Sequence, residues 1–211
     1  MNVITANGVT KSYRGRALYK DATFTIPRGS TTGIAGPNGS GKSVLFRLMC
    51  GFARPDSGTI TIDPTYLSAR RTFPEKFGVL IDRPGYISGA TGLDNLLTLA
   101  KIRRRIDESK VRETMNVLGL DPALTQKVRH YSLGMKQKLA LAQALMEDPD
   151  ILLLDEPFNA LDADTVATVK TLLRSFQQRG GTLVFTSHNP ADIPELATQT
   201  LTVENGTIRT N

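Results

Sequence analysis

Seven short runs rich in Val, Ile, Leu, Thr and Ala, at 3–9, 22–26, 31–35, 59–62, 79–81, 151–154 and 182–186, predict β-strands. Helical patterns lie between several of them. Leu93, Leu96, Leu97 and Ala100 follow Thr91, with Asp94 three residues after it, the pattern of a capping box. Val111, Met115 and Leu118 repeat at helical spacing and stop at Gly119. A longer helix from Ser132 carries Leu139, Ala142, Leu145 and Met146 inward and ends before Pro149. Another takes Val166, Val169, Leu172, Leu173 and Phe176 to Gly180-Gly181. The C-terminal "TLTVENGTIRT" alternates about Asn205-Gly206 and predicts a hairpin. Buried apolar strands with intervening helices imply an α/β sheet. Residues from about 82 to 148 are nearly all helical and read as a subdomain inserted into that sheet, within a single domain spanning 1–211. No repeat, low-complexity tract or interdomain linker interrupts the pattern.

Composition narrows the class. At 40% hydrophobic and 22% charged residues over 211 positions, the chain can bury a sizeable core. No stretch approaches the roughly 18–20 uninterrupted apolar residues of a membrane span, and "MNVITANGVTKSYRGR" has no apolar run of the secretory kind. One cysteine, Cys50, forms no intrachain disulfide, which suits a reducing compartment, and reads as a small buried hydrophobe. A net charge of +6 and a pI near 9.6 raise the question of nucleic acid. The densest basic run, Lys101-Ile102-Arg103-Arg104-Arg105, is short, sits at a predicted helix end and has no interleaved aromatics. With Arg70-Arg71 it reads as a solvated face, and no nucleic-acid partner is expected.

The chemistry is concentrated at "GPNGSGKS", Gly36, Pro37, Asn38, Gly39, Ser40, Gly41, Lys42 and Ser43. The stretch matches G-x-x-x-x-G-K-[ST] between the strand "TTGIA" and the helical "VLFRLM", the context a phosphate loop requires. Successive N–H groups would point at phosphate oxygens, Lys42 would reach the β- and γ-phosphates, and the Ser43 hydroxyl would ligate Mg²⁺. The run "ILLL" then ends in Asp155-Glu156. Adjacent acids after a buried strand suit a metal ligand, Asp155, beside a residue that polarises an attacking water, Glu156. The segment "GVLIDRPG" likewise ends on a charge, Asp82, before a Pro-Gly pair that reads as turn chemistry.

With these pieces in place the chain resembles the nucleotide-binding subunits of ABC transporters. "YSLGMKQ" looks like the family's signature motif, with Ser132, Leu133 and Gly134 at its heart; "NALD", ending at Asp162, resembles its D-loop; and His188 after "TLVFTS" resembles its switch histidine. Tyr13 sits where the family stacks an aromatic on adenine, and Asp82 where it usually carries a glutamine that reaches Mg²⁺. The sequence departs from many members at Leu133 and Met135, and "YSLGMKQ" is familiar among exporters of the ABC-2 and bacitracin-resistance type. The resemblance implies a P-loop NTPase core with a mixed sheet, an N-terminal antiparallel β subdomain and an inserted helical subdomain.

It also implies ATP and Mg²⁺ as cofactors, with Glu156 and His188 catalytic and Ser43, Asp155 and Asp82 on the metal. Two copies, or one copy and a similar ATPase subunit, would close head to tail, each ATP between one phosphate loop and the other chain's Ser132, Leu133 and Gly134. Asp162 would couple the two sites. A separate membrane permease would dock near residues 82–91, with Tyr86, Ile87, Ser88, Gly89 and Ala90 as contact surface, holding the chain on the inner face of the cell membrane. Export of a drug, peptide or lipid-like substrate follows from the exporter-like motif. A soluble ATPase of the iron–sulfur assembly kind is the alternative, and the transported substrate is not written in this chain.

Overall fold

The computed structural model describes residues 1–13, 15–68, 70–82 and 85–211. Of the turn expected after Asp82 at Pro84-Gly85, Pro84, with Arg83 before it, lies outside the described residues. The chain begins with β1 (Asn2–Tyr13) and β2 (Arg16–Pro27), an antiparallel pair to which β4 (Ser57–Ile62) adds on the far side of β1. A second sheet holds β3 (Thr31–Ala35), β5 (Phe77–Leu80), β6 (Ile151–Leu154), β7 (Thr182–Phe185), β8 (Gln199–Glu204) and β9 (Thr207–Thr210), in the order β5-β6-β7-β3-β8-β9. All neighbours in it are parallel except the β8–β9 hairpin. The fold is thus α/β with a mixed sheet and an antiparallel N-terminal sheet, as expected.

Why "ILLL" does not alternate is visible in the packing. Ile151 and Leu153 join the core that includes Val3, Ile4, Phe24 and Ile26 of the antiparallel sheet and Leu45, Phe46, Leu48 and Met49 of α1 (Lys42–Met49). Leu152 and Leu154 point the opposite way, into the core shared with the remaining long helices. These are α2 (Gly92–Arg103), α3 (Glu108–Val117), α4 (Leu133–Leu145) and α5 (Ala163–Gln178). Both faces of the strand are covered, so a continuous apolar run is what the fold needs.

The helix ends follow local chemistry. Thr91 and Asp94 form the expected capping box on α2, and Ser132 Oγ accepts the Met135 N–H at 3.1 Å to cap α4. Leu118 is the C-cap of α3, and Gly119 beyond it takes a φ of 65°. Of the residues expected to point inward, Leu139, Ala142, Val169, Leu173 and Phe176 are buried, while Leu145, Val166 and Leu172 are half-buried at the edges of their apolar faces. The basic run closes α2 and is partly ion-paired, Arg103 with Glu147 at 3.3 Å and Arg105 with Glu75 at 3.2 Å. Cys50 is buried behind α1, and that burial pushes its thiol pKa up to about 11.

Two expected strand ends are corrected, and one helix is added. β5 stops at Leu80, so Ile81 is not in the strand, because Asp82 turns the chain with a φ of 56°. β7 ends at Phe185, one residue before Thr186. A short helix, α6 (Asp192–Leu196), follows β7; its five residues include Pro194 and offer no periodicity to read.

Candidate functional site

Parallel strands end at one edge, and three of them deliver the candidate residues there. β3 lies between β7 and β8, and β7 lies beside β6. The phosphate loop after β3, the acids after β6 and His188 after β7 therefore meet where a doubly wound sheet binds ligands. Tyr13, Asn38, Gly39, Gly41, Lys42, Ser43, Asp155, Glu156 and His188 share one cavity of about 330 Å³. Gly36, Pro37 and Ser40 complete the loop behind it.

Within the loop, Lys42 Nζ donates to Gly36 O at 2.7 Å and Pro37 O at 3.1 Å, so its ammonium is folded over the carbonyls at the loop's start. Ser40 Oγ is buried with no hydrogen-bond partner among the described residues. The left-handed Gly41 is the N-cap of α1, whose first turn presents Ser43 with the positive end of the helix dipole. Tyr13 is half exposed at the cavity mouth.

Opposite the loop, the acids are held by Thr186. Its hydroxyl donates to Asp155 Oδ1 at 2.8 Å and accepts the Glu156 N–H at 2.7 Å. Asp155 is buried, and its N–H donates to Leu80 O at 2.7 Å. Glu156 has a φ of 54°, a left-handed conformation that carries strain for a residue with a Cβ. Burial is the main force raising its carboxyl pKa; His188 and Lys42 pull it back down, and Asp155 pushes it further up. His188 Nε2 stands 3.5 Å from Glu156 Oε1, with the imidazole largely in solvent. Gln137 of α4 donates through Nε2 to Glu156 O at 2.9 Å and Pro157 O at 3.1 Å, tying the helix to the acidic loop.

Ser43 and Asp155 offer a hydroxyl and a carboxylate across the cavity. That donor set fits Mg²⁺, which binds through one or two protein oxygens and completes its shell with water and phosphate.

Five other expected residues, Ser132, Leu133, Gly134, Asp162 and Asp82, lie outside this cavity. Ser132 and Leu133 are exposed at the start of α4, Leu133 at 68%. A Cβ on Gly134 would fall 2.8 Å from Ala160 O, so the helix start sits hard against the "NALD" turn. Asp162 caps α5 by accepting the Thr165 N–H at 2.8 Å, which holds its carboxyl below the usual range. Asp82, expected on the metal, does not line the cavity either: it is paired with Arg47, Nε and Nη2 donating to Oδ2 at 2.9 and 2.6 Å.

Comparison with known proteins follows the same motifs. The family model described as ABC transporter matches residues 19–159. An uncharacterised ABC transporter ATP-binding protein of Bacillus subtilis (strain 168), YybJ, is 35% identical over 209 residues, covering 99% of this chain and 96% of the relative. The chain belongs to the ABC transporter family. The bacitracin transport ATP-binding protein BcrA of Enterococcus faecalis is 34% identical over 197 residues; the match takes in 92% of this chain and 64% of BcrA. A solved dimeric bacterial ABC transporter cassette, MJ0796, superposes with a TM-score of 0.84 over 99% of this chain and 97% of its own, at 24% identity. That likeness speaks to the fold alone.

Two residues of this ABC chain's site escaped sequence reasoning. Thr186 is a threonine at the end of a β-rich run, and nothing local distinguishes it from a strand former. Gln137 lies within "YSLGMKQ" but carries no charge to draw notice. Their signal is topological, since β7 neighbours β6 and α4 packs across their ends. Thr186→Val is expected to cost about 1–3 kcal/mol, leaving the Glu156 N–H and a buried carboxylate oxygen without partners. It should lower turnover while nucleotide binding persists, which urea unfolding and steady-state kinetics would check.

Proposed function

We infer that this chain is the ATP-hydrolysing subunit of a transporter, acting as a dimer beneath a separate membrane permease. The observation that carries the reading is the convergence of Lys42, Ser43, Asp155, Glu156 and His188 on one cavity floored by a phosphate loop. On ATP binding, Lys42 would leave the Gly36 and Pro37 carbonyls for the β- and γ-phosphates, an exchange of neutral acceptors for charged ones. Loop N–H groups and the α1 dipole orient the triphosphate. Bound Mg²⁺, held by Ser43 and Asp155, would neutralise charge on the β- and γ-oxygens. Glu156, locked by Thr186 and Gln137, orients and deprotonates the attacking water. His188, beside Glu156, steadies the transferred phosphoryl group.

A second chain completes the site. Ser132 and Leu133 are solvent-facing here, with Gly134 beside them, and the Ser132 hydroxyl and nearby N–H groups are donors suited to a γ-phosphate bound by another copy. Such donors add binding energy only while the γ-phosphate is present, so ATP favours the closed dimer and hydrolysis reopens it. Asp162, two residues from Ala160 where α4 begins, couples the two sites.

No helix among the described residues is long and apolar enough to cross a membrane, so translocation needs a permease that holds this chain at the cytoplasmic face. The segment before α2 offers a surface: Ile87 is 55% exposed, while its N–H and carbonyl are fixed to Asn95 at 2.7 and 3.1 Å. The names of the relatives favour export of a bacitracin- or lantibiotic-like substrate over the soluble assembly reading. The purified chain should hydrolyse ATP only with Mg²⁺. A tagged copy should bring a multi-span membrane protein out of solubilised membranes; recovery of a soluble partner alone would support the assembly factor instead.

A further inference from the structure

The pairing of Asp82 with Arg47 changes what that carboxylate does at rest. β5 and β6 run parallel in a register that sets Leu80 opposite Leu154, so Asp82 leaves the sheet at the same edge as Asp155 and Glu156. It is the third carboxylate in that row, yet it is turned out of the cavity. Arg47 belongs to α1, four residues after Ser43, and so stands one turn further along the same helix face. Two of its guanidinium nitrogens grip one oxygen, Asp82 Oδ2. Asp82 itself occupies the left-handed region at a φ of 56°, a conformation that persists where the surroundings hold it.

We propose that Arg47 is a positioning residue: its guanidinium latches the Asp82 carboxylate away from the phosphate cavity, and the latch opens when a metal-bound nucleotide arrives, freeing Asp82 to turn toward the cation. The proposal rests on reading the cavity as a Mg²⁺-ATP site. Electrostatics gives it a sign. A freed carboxylate near the triphosphate repels metal-free nucleotide and attracts the magnesium complex, whereas a latched one does neither strongly. Both partners are about two-fifths exposed, so the latch is weak enough for a divalent cation to displace. It still biases the resting state roughly two- to five-fold, as exposed ion pairs do.

The test measures binding of a fluorescent ATP analogue to the full chain, once with Mg²⁺ and once with EDTA, and takes the ratio of the two affinities. Arg47→Gln should raise that ratio about three-fold, with Arg47→Lys falling between it and the unmodified chain. In an Asp82→Asn background the same Arg47→Gln change should leave the ratio unmoved. A ratio unchanged by Arg47→Gln, or one that rises equally without the Asp82 charge, overturns the latch while leaving the nucleotide site intact. An unmodified chain that binds the analogue under neither condition overturns the nucleotide reading, and the latch with it.

Discussion

Glu156→Gln is expected to lower ATP turnover by about two to four orders of magnitude, the range that a positioned general base contributes. Binding should survive, because Lys42, Ser43 and the loop N–H groups are untouched and glutamine keeps the length and one carbonyl oxygen of glutamate. With hydrolysis blocked and the γ-phosphate retained, the variant should elute as a dimer with ATP and Mg²⁺ and as a monomer without them. A variant that stays monomeric with ATP and turns over at the unmodified rate would refute the mechanism. The pH profile gives a second measure. Burial raises the Glu156 pKa above its ordinary 4.5, so the basic form is lost as pH falls through that raised value. The acid limb of kcat/KM, which reports the free chain, should therefore be shifted upward from that ordinary value. Linkage runs the same way: a raised folded pKa means the folded chain holds this proton more tightly than the unfolded one. The resulting stabilisation is full below the ordinary pKa and fades as pH rises through the folded value. Glu156→Gln should flatten that part of the stability profile, as denaturation at several pH values would show.

Most of the fold was legible because its signals are local. A phosphate loop declares itself through glycine spacing between a strand and a helix. "ILLL" declares a strand covered on both faces, and two acids at its end have no packing role to explain them. Capping patterns at Thr91 and Ser132 mark helix starts with side chains that satisfy free backbone N–H groups. What stayed hidden depends on pairing at a distance. Thr186 matters because β7 lies beside β6, and strand order is not a local property. Arg47 and Asp82 are 35 residues apart, on a helix and a strand end whose approach is set by the sheet. The same distance hid the resting partner of Asp82: the resemblance implied a metal ligand there, and nothing in the sequence pointed to the guanidinium one turn beyond Ser43 with which it is paired.

The separation of the expected site into two groups also has a physical logic. The phosphate loop, the acids and His188 sit at one sheet edge, whereas Ser132, Leu133, Gly134 and Asp162 gather where α4 and α5 begin. Ser132 and Asp162 both cap their own helices, so each is justified without a ligand. Leu133, 68% exposed in the first turn of α4, belongs to the same face, which the proposed head-to-tail dimer would turn toward the other copy. The capping geometry leaves Ser132 a lone pair and a proton for a partner's phosphate, so one residue can serve both the helix and the interface.

Gly36→Ala is expected to abolish nucleotide binding and to destabilise the chain by several kcal/mol. Gly36 has a φ of 151°, outside the range that side-chain-bearing residues adopt. A Cβ there would fall 2.3 Å from Val203 O and 3.0 Å from Ser40 Oγ. Val203 cannot yield, because it lies in β8, between β3 and β9, and is wholly buried. Relief must come from the loop itself, which would lift away from the sheet and take with it the Gly36 carbonyl that now holds Lys42. Backbone strain of about 1–3 kcal/mol and overpacking of similar size add at one site. Thermal unfolding separates the two consequences. The unmodified chain should gain about 2.7 kcal/mol when Mg²⁺-ATP is present at a hundred times its dissociation constant. Gly36→Ala should melt earlier without ligand and gain nothing from it. A variant that melts with the unmodified chain and keeps the ligand shift would mean that the loop tolerates a side chain against β8, and that its glycine is there for another reason.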